Sequence, residues 1–337
     1  MSIGRIVVTE CDHDAFAEEE HVAAQCDFDF RVEQSTADTL IDNCRDANGL
    51  LVQYANITGR VLDELPNVAV VVRYGVGFDT VDVPAATARG VAVCNVPDYG
   101  TEAVSDHAIA LAITAARGIS TLHEGVRAGR YDLNAASPIF QFRNQVFGVL
   151  GLGRIGSAVA RKARALGFRV IGHDIVAEAG TQYNGCEAVS FDNLLQSSDV
   201  ISVHVPLDES TRYLVGHKQI SQMKPGSILI NTARGGIIDT NAVVDALAER
   251  HLAAVGFDCH ETEPVPPSHP LTAFPQAILT PHVAWYSEES YGELKRRTMR
   301  AATDVLTGVR PAGLLNPEVF DSTAFHQRLD RMRRAHS

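Results

Sequence analysis

The amino-acid sequence predicts an α/β protein built from two doubly wound parallel-sheet domains with a cleft between them. Three observations carry this. The length, 337 residues, exceeds what one ordinary core organises and fits two domains. Through the middle of the chain short apolar runs alternate with helical stretches, the pattern of strands joined by helical crossovers. Finally, Gly151-Leu152-Gly153-Arg154-Ile155-Gly156 follows one such run and opens a helical one, the context that makes a glycine pattern of this kind informative.

Taken in order, residues 4–8, 49–52, 68–72 and 91–94 are expected strands, with helices at 38–44 and 83–88 between them. The run 105–117, rich in Ala, Ile and Leu, reads as a long buried helix leading into the second domain. A strand at 145–150, a helix at 155–166 and a strand at 169–173 follow, then strands at 200–205, 227–231, 254–258 and 277–280. Asp239 or Thr240 can cap a helix reaching about residue 250, with Ala242, Val243, Ala246 and Leu247 on its buried side. After His282 the chain turns helical again over 287–306. The expected organisation is therefore a discontinuous substrate domain (1–99 and 287–337) around a contiguous cofactor domain (100–286), each Rossmann-like or flavodoxin-like.

The composition, 45% hydrophobic and 21% charged, is that of a soluble globular protein. No apolar run approaches the roughly 20 residues that span a bilayer, and a secretory signal pattern is not expected at the N-terminus. A formal charge of −12 argues against a nucleic-acid groove. Lys295-Arg296-Arg297 and the arginines of 331–334 read as a solvated helix face and a tail. The six cysteines form no C-x-x-C pair, which suits reduced thiols in a cytoplasmic protein and no metal centre. Cys259, beside Asp258, reads as a buried thiol or a reactive one.

Within the glycine motif, Gly151 permits a tight turn, Gly153 lets backbone amides approach a pyrophosphate, and Gly156 lets the helix pack on the strand. Arg154 and Ile155 sit where the helix N-terminus adds partial positive charge. Asp174 ends the next strand at the distance expected for a ribose 2′-hydroxyl acceptor; its charge opposes a 2′-phosphate, and Ile175-Val176 supply no cation. NAD is the cofactor this spacing favours over NADP.

Three further residues stand at expected carboxyl ends of strands, where open α/β sheets bind ligands: Arg234 before Gly235-Gly236, Glu263, and His282 in Thr280-Pro281-His282. Oxidising an alcohol to a ketone releases a hydride and a proton. Histidine titrates near neutrality and can take the proton, and a carboxylate beside it fixes its tautomer. A guanidinium can grip a substrate carboxylate with two parallel hydrogen bonds. His204 and His260 compete for the proton role. His204 lies in an apolar run, and His260 lacks the strand-end setting.

With these residues in place, residues 146–156, 231–239, 257–264 and 279–285 resemble the D-isomer-specific 2-hydroxyacid dehydrogenases. Within that superfamily Arg73-Tyr74-Gly75-Val76-Gly77-Phe78-Asp79 and Pro281-His282-Val283-Ala284-Trp285-Tyr286-Ser287-Glu288 are most similar to the C-terminal-binding proteins, corepressors that keep a dehydrogenase fold. The resemblance implies that Arg234 anchors and polarises the substrate, Glu263 supports the histidine, and His282 is the acid/base. It implies that Arg73, Val76 and Gly77 line the substrate carboxylate from the other domain. Thr232, Ala233, Asp258 and His282 would lie along the nicotinamide half of the cofactor, and the 205–211 loop, with Val205, Pro206 and Thr211, along its adenosine half. Trp285, standing where a small glycine is common, would wall the pocket against an apolar or thioether side chain, or else simply pack.

Residues 99–107 depart from the commoner form of the domain-linking helix, so no cofactor contact is assigned to Thr101. Formate dehydrogenases resemble this chain with glutamine in place of the supporting glutamate, and Glu263 argues against that chemistry. The resemblance also implies a homodimer held through the cofactor domain, helix 105–117 forming part of the interface. The lobes would hinge near 97–100 and 285–287. The alternative reading is an NADH-binding, corepressor-like assembly protein with little turnover.

Overall fold

The computed structural model describes residues 2–132 and 134–335. The chain divides into two compact units, Met1–Gly100 with Ser287–Ser337, and Thr101–Tyr286. Both are α/β units with parallel sheets, the class the sequence predicts.

In the first unit the sheet order is β2-β1-β3-β4-β5, with every neighbouring pair parallel. The strands are β1 (Arg5–Val8), β2 (Asp29–Val32), β3 (Gly49–Val52), β4 (Val70–Arg73) and β5 (Ala92–Cys94). The order is that of flavodoxin-like sheets. β3 and β5 are buried throughout, as their unbroken apolar runs require of a sheet covered on both faces. Part of that cover comes from the far end of the chain. Helix α11 (Glu288–Thr307) packs on β3, β4 and β5 and on α1 (Ala17–Gln25). Ser287 caps it by accepting from Ser290 N, and Gly308 ends it with a left-handed φ of 91°.

Helix α12 (Thr323–Ala335) closes the unit, burying Phe325, Arg328, Leu329 and Met332. Two expectations are corrected here. Lys295 is not solvated: it is 5% exposed, its ammonium donates to Ala15 O at 2.6 Å and lies 3.8 Å from the Tyr291 ring centre. The arginines of 331–334 are the exposed face of α12 rather than a tail.

The second unit holds an eight-stranded sheet ordered β13-β12-β11-β10-β6-β7-β9-β8. Its strands are β6 (Val146–Leu150), β7 (Arg169–His173), β8 (Gln182–Tyr183), β9 (Cys186–Ala188), β10 (Val200–Val203), β11 (Ser227–Asn231), β12 (Leu252–Phe257) and β13 (Ala277–Leu279). All pairs are parallel except β8 with β9. One face packs α5 (Thr101–Ala116) and α7 (Arg154–Ala165); the other packs α8 (Phe191–Ser197), α9 (His217–Gln222) and α10 (Thr240–Ala248). α10 begins at Asp239, whose carboxylate accepts from Asn241 N and Ala242 N, and it buries the four residues expected of it. α5 lies so close to β12 that a Cβ on Gly256 would stand 3.0 Å from Leu111 Cβ. The strand order reverses between β6 and β10, the switch point at which sheets of this kind bind ligands. Among the described residues no helix is long and apolar enough to cross a membrane.

Candidate active site

The glycine motif fills the turn from β6 into α7, beside the switch point. Gly151 has φ +92°, and a Cβ there would stand 2.8 Å from the His204 carbonyl carbon, so the turn and the closeness of the β10 loop both need glycine. A Cβ on Gly156 would fall 1.9 Å from Gly151 O, so the helix could not seat on the strand. Gly153 differs: a Cβ there meets nothing within 4 Å. Nothing in the fold demands that glycine, whereas a phosphate approaching the helix N-terminus would. Arg154 opens α7 and is exposed, and Ile155 behind it is half-buried. The cradle therefore fits a dinucleotide pyrophosphate.

Asp174 lies just past β7, and its Oδ2 accepts from Leu152 N at 2.8 Å, tying this carboxylate to the glycine turn. Ile175 and Val176 beside it are 94% and 69% exposed. After β10, Val205 is half-buried against the core, Pro206 is exposed, and Thr211 Oγ1 donates to Pro206 O at 2.7 Å, closing the loop over Asp208. The Asp208 carboxyl is held low by hydrogen bonds, first from the Ser210 hydroxyl and then from the backbone amides of the turn. At the end of β11, Thr232 is 7% exposed and its hydroxyl oxygen is buried without a partner among the described residues. Ala233 N donates to Asn231 Oδ1 at 3.0 Å.

Arg234 follows, half-buried, with Nη1 donating to Ala233 O at 2.8 Å and its carbonyl accepting from Asn231 Nδ2 at 2.9 Å. Gly235 is fixed by a close approach: a Cβ there would fall 2.0 Å from the His260 carbonyl carbon. That contact brings the β11 loop against the β12 loop, which carries Cys259, His260 and Glu263. Glu263 Oε2 accepts from His282 Nδ1 at 2.7 Å, and Glu263 Oε1 accepts from His260 N at 2.8 Å. Burial acts to raise the Glu263 carboxyl. The His282 hydrogen bond, the His260 amide and the charges of both imidazoles outweigh it and hold the group below the ordinary glutamate range.

The His282 loop is pinned from below by Asp258, which is fully buried and accepts from Val283 N and Ala284 N at 2.9 Å each and from Thr280 Oγ1 at 2.5 Å. His282 itself has a left-handed φ of 53°, and Trp285 Nε1 donates to His282 O at 3.0 Å. Asp258, expected along the nicotinamide, also staples the histidine loop. His107 on α5 joins it, with Nε2 3.0 Å from Thr280 Oγ1 and 3.6 Å from Asp258 Oδ1. Sequence reasoning missed His107, whose only signal was its place in the segment 99–107.

The competing histidines are occupied elsewhere. His204 bonds Ser202 Oγ at 2.8 Å, and burial pushes it down to about 3, so it stays neutral. His260 is 8% exposed, with Nε2 3.0 Å from Thr280 O. Cys259 is 2% exposed and burial drives its thiol upward, so with no cation beside it the group stays a protonated, buried thiol.

In the first unit, Arg73 ends β4 and its guanidinium crosses Gly75, which has φ +129°. Val76 is 38% exposed and its carbonyl accepts from Asn95 Nδ2 at 2.6 Å. Gly77 follows, half-buried, at the carboxyl end of the same strand.

A family model for the D-isomer specific 2-hydroxyacid dehydrogenase NAD binding domain matches residues 109–284. A glyoxylate reductase from Thermofilum pendens is 36% identical over 287 residues, 83% of this chain and 84% of that protein. A D-3-phosphoglycerate dehydrogenase from Mycobacterium leprae is 40% identical over 269 residues, 79% of this chain and 49% of that protein. Among solved structures, a D-lactate dehydrogenase from Aquifex aeolicus, complexed with NAD and lactic acid, is similar with a TM-score of 0.82 at 25% identity, covering 93% of this chain and 99% of that one.

Proposed function

Because this chain belongs to the D-isomer-specific 2-hydroxyacid dehydrogenase family and carries its NAD-binding domain, we propose that it interconverts a small D-2-hydroxy acid and its 2-oxo acid, with His282 moving the proton. The observation that carries this is the 2.7 Å Glu263–His282 pair, on a loop packed against the one that bears Arg234. The nicotinamide supplies the hydride acceptor or donor. His282 gives its proton to the oxygen of the 2-oxo group as the hydride arrives at carbon, and takes it back in the reverse direction. Glu263 holds the imidazole tautomer through its 2.7 Å contact with Nδ1. Arg234 grips the substrate carboxylate and polarises the neighbouring carbonyl.

Arg73, Val76 and Gly77, at the carboxyl end of β4, are the substrate-binding residues of the first unit. Thr232, Ala233 and Asp258 flank the nicotinamide half of the cofactor, Val205, Pro206 and Thr211 its adenosine half, and Asp174 the ribose, where its charge selects NAD over NADP. Trp285 walls the acid's side-chain pocket. The free thiols fit a reducing cytoplasm. We assign a homodimer whose interface includes α5.

The relatives that are glyoxylate reductases, and the one solved with lactic acid, favour a short acid. The segments 73–79 and 281–288 give the narrower likeness to C-terminal-binding proteins, and an NADH-gated binder with little turnover is the outcome that the test must separate. NADH consumption is measured with glyoxylate, pyruvate, hydroxypyruvate, phenylpyruvate and 4-methylthio-2-oxobutyrate. Turnover with at least one acid, reduced about 10²- to 10⁴-fold by His282→Ala with NADH binding intact, is expected. Failure with all five, alongside NADH-dependent peptide binding, overturns the enzyme reading.

A further inference from the structure

Beside the proton-carrying pair the fold sets a third donor with no part in the hydride chemistry. Cys259 Sγ, a Glu263 carboxylate oxygen and a His282 ring nitrogen all lie within 4.8 Å of one another. Thiolate, imidazole and carboxylate are the donor set of a borderline-soft divalent cation, and three protein ligands with the fourth position open is a common zinc arrangement. Bonds of about 2.3 Å to sulfur and about 2.0–2.2 Å to nitrogen and oxygen place tetrahedral donors roughly 3.3–3.7 Å apart. The His282–Glu263 pair, now at 2.7 Å, would open by about 0.6–1.0 Å, and Cys259 Sγ, within 4.8 Å of both partners, would draw in by at most about 1.5 Å. The two side chains that must open are each 36% exposed and have room to do so.

We propose that Cys259, Glu263 and His282 form an inhibitory site for a thiophilic divalent cation of the Zn²⁺ class. The cation displaces the proton between Glu263 and His282 Nδ1, which moves to Nε2 of a neutral imidazole or to solvent from a charged one, and the thiol proton of Cys259, which passes to solvent. No oxidation is involved. With Nδ1 on the metal, Nε2 keeps a proton that it could give up only by becoming an imidazolate, so the imidazole no longer exchanges a proton with the substrate and the enzyme is switched off while its fold is intact. The inhibition rests on the dehydrogenase reading above; the coordination does not.

The test titrates the full-length protein with Zn²⁺, following NADH-linked turnover, and in parallel with Cd²⁺, following the ultraviolet sulfur-to-cadmium charge-transfer band. Wild type is expected to lose turnover reversibly, recovering with a chelator, and to show the Cd²⁺ band at one equivalent. Cys259→Ala, which removes no group used in proton or hydride transfer, is expected to keep turnover, to need at least tenfold more Zn²⁺ for the same loss, and to show no band. Cys259→Val, which keeps the buried volume, serves if the alanine variant does not fold. Equal Zn²⁺ sensitivity of wild type and variant, or no band in wild type, overturns the site. A Cd²⁺ band from a protein that reduces no 2-oxo acid keeps the site and rejects the dehydrogenase reading instead.

Discussion

Glu263 carries a proton-linked stability whose sign can be worked out. Its folded pKa lies below the value of about 4.3 expected unfolded, because the His282 and His260 contacts outweigh its burial. The carboxylate therefore stabilises the fold above that unfolded value, and this share is lost as pH falls through the lowered folded pKa. Glu263→Gln is expected to flatten the acid limb of the stability curve, measured by urea unfolding between pH 5 and about pH 3. It is also expected to slow turnover toward the lower end of the about 10²- to 10⁴-fold worth of a general acid. An acid limb as steep as wild type would refute the linkage.

The glycines give a second, contrasting pair. Gly156→Ala must push its methyl against Gly151 O and is expected to cost about 1–3 kcal/mol or more, seen as a lower Tm without cofactor. Gly153→Ala meets nothing, so its Tm should stay near wild type while NADH affinity drops, as calorimetry would report. The turn at Gly151 and the close packing at Gly156 were legible in the sequence because both follow from backbone geometry at the motif itself. The role of Asp258 was not. Its partners are chiefly backbone amides some 25 positions away, which carry no side-chain signature.

The loop from Thr280 to Trp285 is the element that holds His282. His282 keeps a left-handed backbone, a conformation that a non-glycine residue holds only when its surroundings fix it. Asp258 does the fixing through two amides and a hydroxyl. Asp258→Ala leaves those donors buried without an acceptor, at about 1–3 kcal/mol for each. The expected result is a lower urea midpoint together with a fall in kcat larger than the change in NADH affinity. A wild-type kcat in a destabilised protein would reduce Asp258 to packing alone.

Among the elements themselves, legibility followed burial. β7 and β11 were placed to the residue because their runs are apolar and bounded by turn residues. β2 was missed because all four of its residues are only half-buried at a sheet edge, so no apolar run marks it. α12 was read as a tail because its arginines outnumber the apolar residues that seat it.

At the scale of the whole molecule, the two chain ends build one unit while the middle builds the other, and that division makes their stabilities separable. Arg328 on α12 is 7% exposed. Its Nη1 donates to the carbonyls of Leu65, Pro66 and Val68 at 3.2, 2.8 and 2.8 Å, and its Nε to Arg89 O at 2.9 Å. Burial pushes the guanidinium down to about 10, still charged at neutral pH. One side chain thus fastens the C-terminal helix to the segments that follow α3 (Gly59–Glu64) and α4 (Val83–Ala88). Arg328→Ala removes the shared donor from several carbonyls at once, and at about 1–3 kcal/mol for each buried group left unpaired the loss is a large fraction of what holds a domain together.

The only tryptophan, Trp285, belongs to the other unit, so its fluorescence follows Thr101–Tyr286 while circular dichroism follows both units. In Arg328→Ala the dichroism is therefore expected to begin falling at lower denaturant than the fluorescence, where wild type gives closer transitions. Transitions that move together in the variant would mean that the two units unfold as one cooperative body. The damage at α12 would then be felt by the His282 loop as well.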